Sequence, residues 1–282
     1  MNILTIQSHV AYGHVGNSAA VFALQRLGVE AWPVHTVQFS NHPGYGAWRG
    51  RVFDGAFVAD VIAGIAERGV FGGCDGVLSG YIGDPGIGDA VLSAVAAVRA
   101  ANPVMRYCCD PVIGDVGSGV FVRPGIAEFM RERAVPAADI VTPNHFELDH
   151  LVGRPSETLA EALRGVDALH AMGPGTVLVT SLVTRETPPD AIDLLASDGA
   201  SRYRLRTPRL DGAFNGAGDM LAALFFARSL REGNLADALS LAAASVYGVL
   251  VRTHAEGSRE ILLVAAQDEI VAPSRRFAVE RV

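Results

Sequence analysis

Short apolar runs alternate with amphipathic stretches along most of this 282-residue chain, and few folds accept that order. Residues 3–7, 31–39, 75–82, 104–114, 139–144 and 176–182 read as strands. Between them, 17–28, 57–69, 89–103, 126–136 and 158–173 have helical spacing. Pro33 marks an edge or a bulge in the second strand, because proline cannot donate to a ladder. Repeated β-α-β predicts an α/β fold, a three-layer α-β-α arrangement around a mostly parallel central sheet. Residues 191–197 and 201–210 flank Asp198-Gly199-Ala200 and read as a hairpin. Helices over 218–231, 235–253 and 259–270 close the chain. No linker or low-complexity segment interrupts the pattern, so one domain over 1–282 is expected.

Composition narrows the function classes. Half of the residues are apolar, enough for a large core, and the net charge is −7. No basic run occurs, which argues against nucleic acid as a partner. Three cysteines, Cys74, Cys108 and Cys109, make no disulfide framework and suit a reducing compartment. The first residues lack the basic and long apolar regions of a signal peptide. The apolar stretch 239–251 is too short to span a bilayer. A soluble, cytoplasmic protein with no membrane partner is the expectation.

In an open parallel sheet, ligands bind beyond the carboxyl ends of the strands. Here those ends carry "QSH" (7–9), "SGYIGD" (79–84), "CDPVIGD" (109–115), "TPNHFE" (142–147) and "TS" (180–181). Asp110 and Asp115 flank a proline turn, and Glu147 follows the next strand. Three carboxylates at one edge repel one another unless a cation joins them, and Mg2+ with substrate phosphates suits so few carboxylates. Asn144 is a candidate holder of a metal-bound water. His145 and His150 are five apart and do not share a helix face, which excludes a two-histidine zinc motif. No G-x-x-x-x-G-K-[ST], G-x-G-x-x-G or G-x-S-x-G string follows a strand. Cys108 and Cys109 lie on a strand and read as buried. The loops "QSHVAYGHVGNSAA" (7–20) and "QFSNHPGYGAW" (38–48) are polar and aromatic, as a small aromatic, polar substrate requires.

"FNGAGDMLAALF" (214–225) places Gly216 and Gly218 before Asp219 at the head of an apolar helix. By itself the string describes an ordinary capped helix start. It equally describes unpaired N–H groups forming an anion hole beside a general base.

Taken together, "IQSHVAYGHVGNSAA", "WPVHTVQFSNHPGYGAW", "LSGYIGD", "CDPVIGD", "TPNHFE" and "GAGD" resemble the ribokinase superfamily, and within it the pyridoxal kinases. The likeness runs from residue 2 to about residue 270, in the family's order and spacing. GxGD marks the superfamily, whereas the first two strings belong to the vitamin site. The resemblance implies a ribokinase-like fold and ATP-dependent phosphorylation of the 5′-hydroxyl of pyridoxal, with pyridoxamine and pyridoxine as further substrates. It implies Asp219 as the base and the N–H groups of Gly216, Ala217 and Gly218 as the anion hole. Ser8 matches the residue that bonds the pyridine ring, and Val15, Val37, Phe39 and Tyr81 match the walls that sandwich it. Pro43 and Gly44 fall on the second vitamin loop, Pro43 where relatives often have Thr. Asp110, Asp115 and Glu147 match the group that positions Mg2+. Asp110, Thr142, Asn144, Glu147 and Thr180, with Thr207, Pro208, Arg209 and Leu210, match the ATP pocket. Residues 114–122 match a lid. Thr180 stands where some bacterial relatives have Lys, which brings in K+ as a second ion for the nucleotide. Asn215 stands where the superfamily usually has Thr or a β-branched residue. A homodimer is implied by the family alone. The alternatives are a hydroxymethylpyrimidine kinase and a non-catalytic protein that binds pyridoxal or its phosphate.

Overall fold

A computed structural model describes all residues from Met1 to Val282. Ten strands form one sheet. They are β1 (Asn2–Val10), β2 (Glu30–Phe39), β3 (Gly50–Val52), β4 (Gly76–Ser79), β5 (Arg106–Cys109), β8 (Ile140–Val141), β9 (Thr176–Leu182), β10 (Ala191–Ser197), β11 (Arg202–Pro208) and β12 (Val279–Arg281). Their order is β12-β11-β10-β9-β8-β5-β4-β1-β2-β3. The six strands from β9 to β2 run parallel, and the outer strands are antiparallel additions. A separate two-stranded hairpin, β6 (Gly114–Asp115) with β7 (Gly119–Val120), stands off the sheet edge.

Side chains alternate across the sheet, as the two-residue repeat of a strand demands. Leu4, Ile6, Val77, Tyr107, Cys109, Val141, Val177 and Val179 enter one core layer. There they meet α2 (Gly55–Ala66), α3 (Pro85–Ala101) and α7 (Leu159–Met172), with a helix from Ile126 to Ala137 that includes a π-helical turn at Met130–Ala134. Ile3, Leu78, Cys108, Ile140, Leu178 and Ala196 enter the other layer. That layer holds α1 (Asn17–Arg26), α8 (Ala217–Arg231), α9 (Leu235–Ala255) and α10 (Gln267–Val271). The expected three-layer, mostly parallel architecture is what forms. Pro33 pairs with Thr5 on β1, while β3 covers only Val37–Phe39 on the other side. Its missing N–H therefore leaves no hole in the ladder.

Three expectations change. The helix expected over 259–270 shrinks to α10. Ile261 and Leu263 are both fully buried, two residues apart, a spacing of extended chain, and Leu262 N–H donates to Thr253 Oγ1 at 3.0 Å. The strands β3 and β12 and the helix α6 (His145–Val152) were not distinguished in the sequence. The apolar stretch 239–251 is part of α9, whose 21 residues are long and apolar enough to cross a bilayer by length and composition. Half of that window is buried against the rest of the protein.

Candidate active site

The carboxyl ends of the parallel strands meet the N-terminus of α8. The backbone there is tightly determined. Gly216 has φ +88°, and a Cβ at this position would lie 1.7 Å from the His14 carbonyl oxygen. Only glycine lets the turn before α8 press so closely on the first loop. A Cβ on Gly218 would meet nothing within 4 Å, so open space faces the helix start. Ala217 N–H turns back to Phe214 O at 3.2 Å. Of the three N–H groups expected in the anion hole, those of Gly216 and Gly218 are left for a ligand, and that of Ala217 is engaged.

Asp219 is half-buried beside this opening. Desolvation pushes its carboxyl up to about 6, against hydrogen bonds from Gly16 N–H and its own N–H. Gly16 is itself confined, since a Cβ there would lie 2.3 Å from both Ser8 O and Ser8 Oγ. Ser8, Gly16 and Asp219 thus form a continuous contact from β1 through the first loop to α8.

Asp110 follows β5 and is buried. Burial first, then the neighbouring Asp219 charge, pushes its carboxyl up to about 7, and a 2.9 Å bond from Thr142 Oγ1 opposes this. Glu147, also buried, rises well above the usual carboxylate range through burial and then the Asp110 charge. Its Oε1 accepts Ile113 N–H at 2.9 Å and Gly114 N–H at 3.4 Å, and its Oε2 accepts Asn144 N–H at 2.9 Å. Asn144 Oδ1 accepts Glu147 N–H at 2.9 Å, and Asn144 Nδ2 donates to Gly114 O at 2.8 Å. These two residues cap α6 and grip the base of the β6–β7 hairpin, so both ends of the Asn144 amide are occupied.

Asp115 does not join the acidic group. It is exposed on β6, where its Oδ1 accepts Val116 N–H at 2.7 Å. The carboxylate whose charge reaches Asp110 is Asp219, and Asp110 in turn acts on Glu147. No three histidine, cysteine, aspartate or glutamate side chains are close enough to hold a metal by themselves. Asp110, which feels the Asp219 charge and itself acts on Glu147, nonetheless needs nearby positive charge when ionised. Asp110 Oδ2 has no protein donor, while both oxygens of Glu147 do. The donor set fits Mg2+ shared with phosphates and water, and not a dedicated all-protein cage.

The proposed ring walls do come together. Val15, Val37 and Phe39 form a small apolar cluster with Val10, and Tyr81 and Val52 pack on it. Thr36 Oγ1 donates to Tyr81 O at 2.7 Å and sets that turn. Pro43 opens a short 3-10 turn, Pro43–Tyr45, in which Gly44 N–H donates to His42 Nδ1 at 3.2 Å. At the carboxyl end of β8, Thr180 N–H donates to Pro143 O at 2.9 Å. Ser181 follows at φ +50°, the only non-glycine residue with positive φ. Thr207 and Pro208 end β11 at the same sheet edge, and Arg209 N–H donates to Asp190 O at 2.7 Å. Thr207 to Leu210 therefore lie two strands from β9, across the antiparallel β10, and beyond Leu182 in register.

Sequence reasoning missed Val10 and Val52, which complete the apolar cluster, and Gly16, which holds Asp219. It also missed Glu260, whose buried carboxylate reaches His14 N–H and the Tyr45 hydroxyl. The alternation of β1 gives a signal for Val10. Nothing local marks Glu260, which lies 215 residues from Tyr45.

A family model described as phosphomethylpyrimidine kinase matches residues 73–261. The pyridoxal kinase PdxY of Rubrobacter xylanophilus is 57% identical over 100% of this chain and 98% of its own length. That of Granulibacter bethesdensis is 56% identical over 98% of each. The structure of pyridoxal kinase from Leishmania donovani in complex with ADP and pyridoxamine superposes with a TM-score of 0.94 at 29% identity, covering 100% of this chain and 99% of that one.

Proposed function

The chain belongs to the pyridoxal kinase family, and on that premise we propose a mechanism built on Asp219 and the start of α8. It is a phosphotransferase that phosphorylates B6 vitamers with ATP. The matching family model begins at residue 73 and so omits both loops that carry the apolar cluster. The full-length likeness to pyridoxal kinases includes them, which favours the pyridine substrate over the pyrimidine one.

The observation that carries the mechanism is Asp219 lying beside the unpaired N–H groups of Gly216 and Gly218. The pyridine ring rests between Val15, Val37, Phe39 and Tyr81, with Ser8 as its polar contact and the Pro43-Gly44 turn at its side. This points the 5′-hydroxymethyl at Asp219. The raised pKa of Asp219 suits a base, which must accept a proton as the hydroxyl attacks. Negative charge then grows on the transferred phosphoryl group, where the Gly216 and Gly218 N–H groups and the α8 dipole oppose it. Asp110, with Glu147 behind it, is where Mg2+ would be held; when bound with ATP it neutralises phosphate charge. Thr142, Thr180 and Thr207 to Leu210 line the nucleotide side, and Asn144 supports that side by capping α6. Thr180, in place of a lysine, leaves a role for K+ near the nucleotide. The β6–β7 hairpin, with Val116, Val120 and Phe121 exposed, is the lid that excludes water. A single kinase domain, a homodimer and a cytoplasmic location complete the reading.

ADP release in Mg-ATP and KCl, with pyridoxal in one reaction and hydroxymethylpyrimidine in another, tests this. Turnover that depends on pyridoxal supports the proposal. Turnover on the pyrimidine alone overturns the choice of substrate, and silence on both overturns the catalytic reading.

A further inference from the structure

The mechanism leaves one buried carboxylate near the site without a task. Asp110 and Glu147 belong to the acidic group, and Asp193 pairs with Arg206 at 2.7 Å on β10 and β11. Glu260 remains, buried in the segment after α9. Its Oε2 accepts His14 N–H at 3.0 Å, and its Oε1 accepts the Tyr45 hydroxyl. Its backbone bridges that of Asn215. Arg259 stands 4.6 Å over the Tyr45 ring. Gly13 belongs to the same joint, since a Cβ there would lie 2.1 Å from Glu260 Oε2.

Three segments meet at this carboxylate: the first vitamer loop, the second vitamer loop, and the turn that carries the anion hole. The second loop has few other ties at its tip. Asn41 Nδ2 donates to Ala47 O at 2.9 Å and Gly44 N–H to His42 Nδ1, both within the loop. Its base is tied to the first loop by Ala11 N–H to Phe39 O at 2.9 Å and Tyr12 N–H to Ser40 O at 2.8 Å, so the contact that places its tip is that of Tyr45 with Glu260.

We propose that Glu260 is a positioning residue for the vitamer. Through Tyr45 and His14 it holds both vitamer loops against the Asn215–Gly218 turn, so that the ring seat and the anion hole share one register. It reaches the reaction only through these loops. This role rests on the pyridoxal kinase reading.

The test compares Glu260→Gln, Tyr45→Phe and the double variant with the wild-type enzyme. One readout is the KM for pyridoxal against the KM for ATP. The other is the rate of tryptic cleavage after Arg49, exposed at the end of the second loop, and after Arg51, exposed on β3 directly behind it, with cleavage after the exposed Arg68 in the turn following α2 as reference. A lost hydrogen bond to a buried charge corresponds to about tenfold or more. Each single variant is expected to raise the pyridoxal KM about tenfold and to leave the ATP KM within about twofold. Cleavage in the second loop should quicken by a similar factor, because it tracks the open population. The double variant should be no worse than the weaker single. Unchanged pyridoxal KM and cleavage overturn the proposal. So does a rise in both KM values with faster cleavage everywhere, which marks general loosening. Tyr45→Phe tests the contact in a chain whose Glu260 is intact. If the wild type does not use pyridoxal, the kinase reading fails by itself, and the cleavage rates alone decide whether Glu260 holds the loop.

Discussion

At the scale of single residues, the site depends on two kinds of position, a base and the glycines that let backbone approach it. Asp219→Ala removes the base and should lower kcat by about 10²–10⁴-fold while nucleotide still binds. Single-turnover kinetics and ADP titration check the two halves of that statement. Near-normal turnover would remove Asp219 from the role. Because the free carboxyl is pushed up to about 6, kcat/KM for pyridoxal should rise with pH through that value and level off above it. A profile flat down to pH of about 5 would place the base elsewhere. Gly216→Ala meets two penalties, a φ of +88° and a Cβ 1.7 Å from His14 O. It should displace the first loop and raise the pyridoxal KM. A crystal structure of the variant with His14 unmoved would contradict this.

Elements translate those residues into a working cleft. α8 presents its first N–H groups at the strand edge because Gly216 ends the preceding turn in a left-handed conformation. α6 acts through its cap. The Asn144–Glu147 pair closes the helix start and also holds Ile113 and Gly114, the root of the β6–β7 hairpin. Glu147→Gln keeps the size but offers one carbonyl oxygen and one amide nitrogen to backbone donors on both sides. One side is then left facing a donor, at a cost of about 1–3 kcal/mol. The melting temperature should fall, and amide exchange over residues 114–120 should quicken more than exchange in the sheet. Equal changes in both regions would show that Glu147 supports the fold without governing the lid.

For the whole molecule, the site's charges oppose stability. Asp110 is buried beside Asp219, and its pKa is raised to about 7. The folded state therefore holds its proton where the unfolded chain, near 3.8, has lost it. The stability from that neutral form is complete below about 3.8 and is lost as pH rises through about 7. Metal-free Asp110→Asn should thus melt about 5 °C higher than the wild type at pH of about 8, and the gap should close as pH falls below about 7. Its activity should be lost, the usual exchange between stability and function. The half-buried pair His9 and His35 has the opposite sign. Their rings are 4.3 Å apart, and burial, then the neighbouring His9, lowers His35 to about 4 from 6.5. The unfolded chain binds more protons between those values, so stability falls as pH drops through that window. The raised carboxyls of Asp219 and Glu147 act against this slope in the same window, so it is read as the difference in urea midpoints between Asp110→Asn and Asp110→Asn/His35→Asn from pH of about 7 to about 4, which should widen as pH falls in disfavour of the chain that keeps His35.

Much of this was legible in the chain as letters. The β-α-β alternation determined the layers, because each element's apolar period leaves it only certain faces to bury. The strings around Ser8, Phe39, Asp110, Thr142 and Gly216 announced an edge rich in polar and turn residues. Short edge strands such as β3 and β12 carry too few residues for a period to show. Only the tertiary structure could exchange Asp115 for Asp219 beside Asp110, engage the Ala217 N–H, or bring Glu260 to Tyr45. Those outcomes depend on which distant backbones meet at one edge. Periodicity along a chain records the face on which a side chain lies, and it carries no record of the partner that face will find.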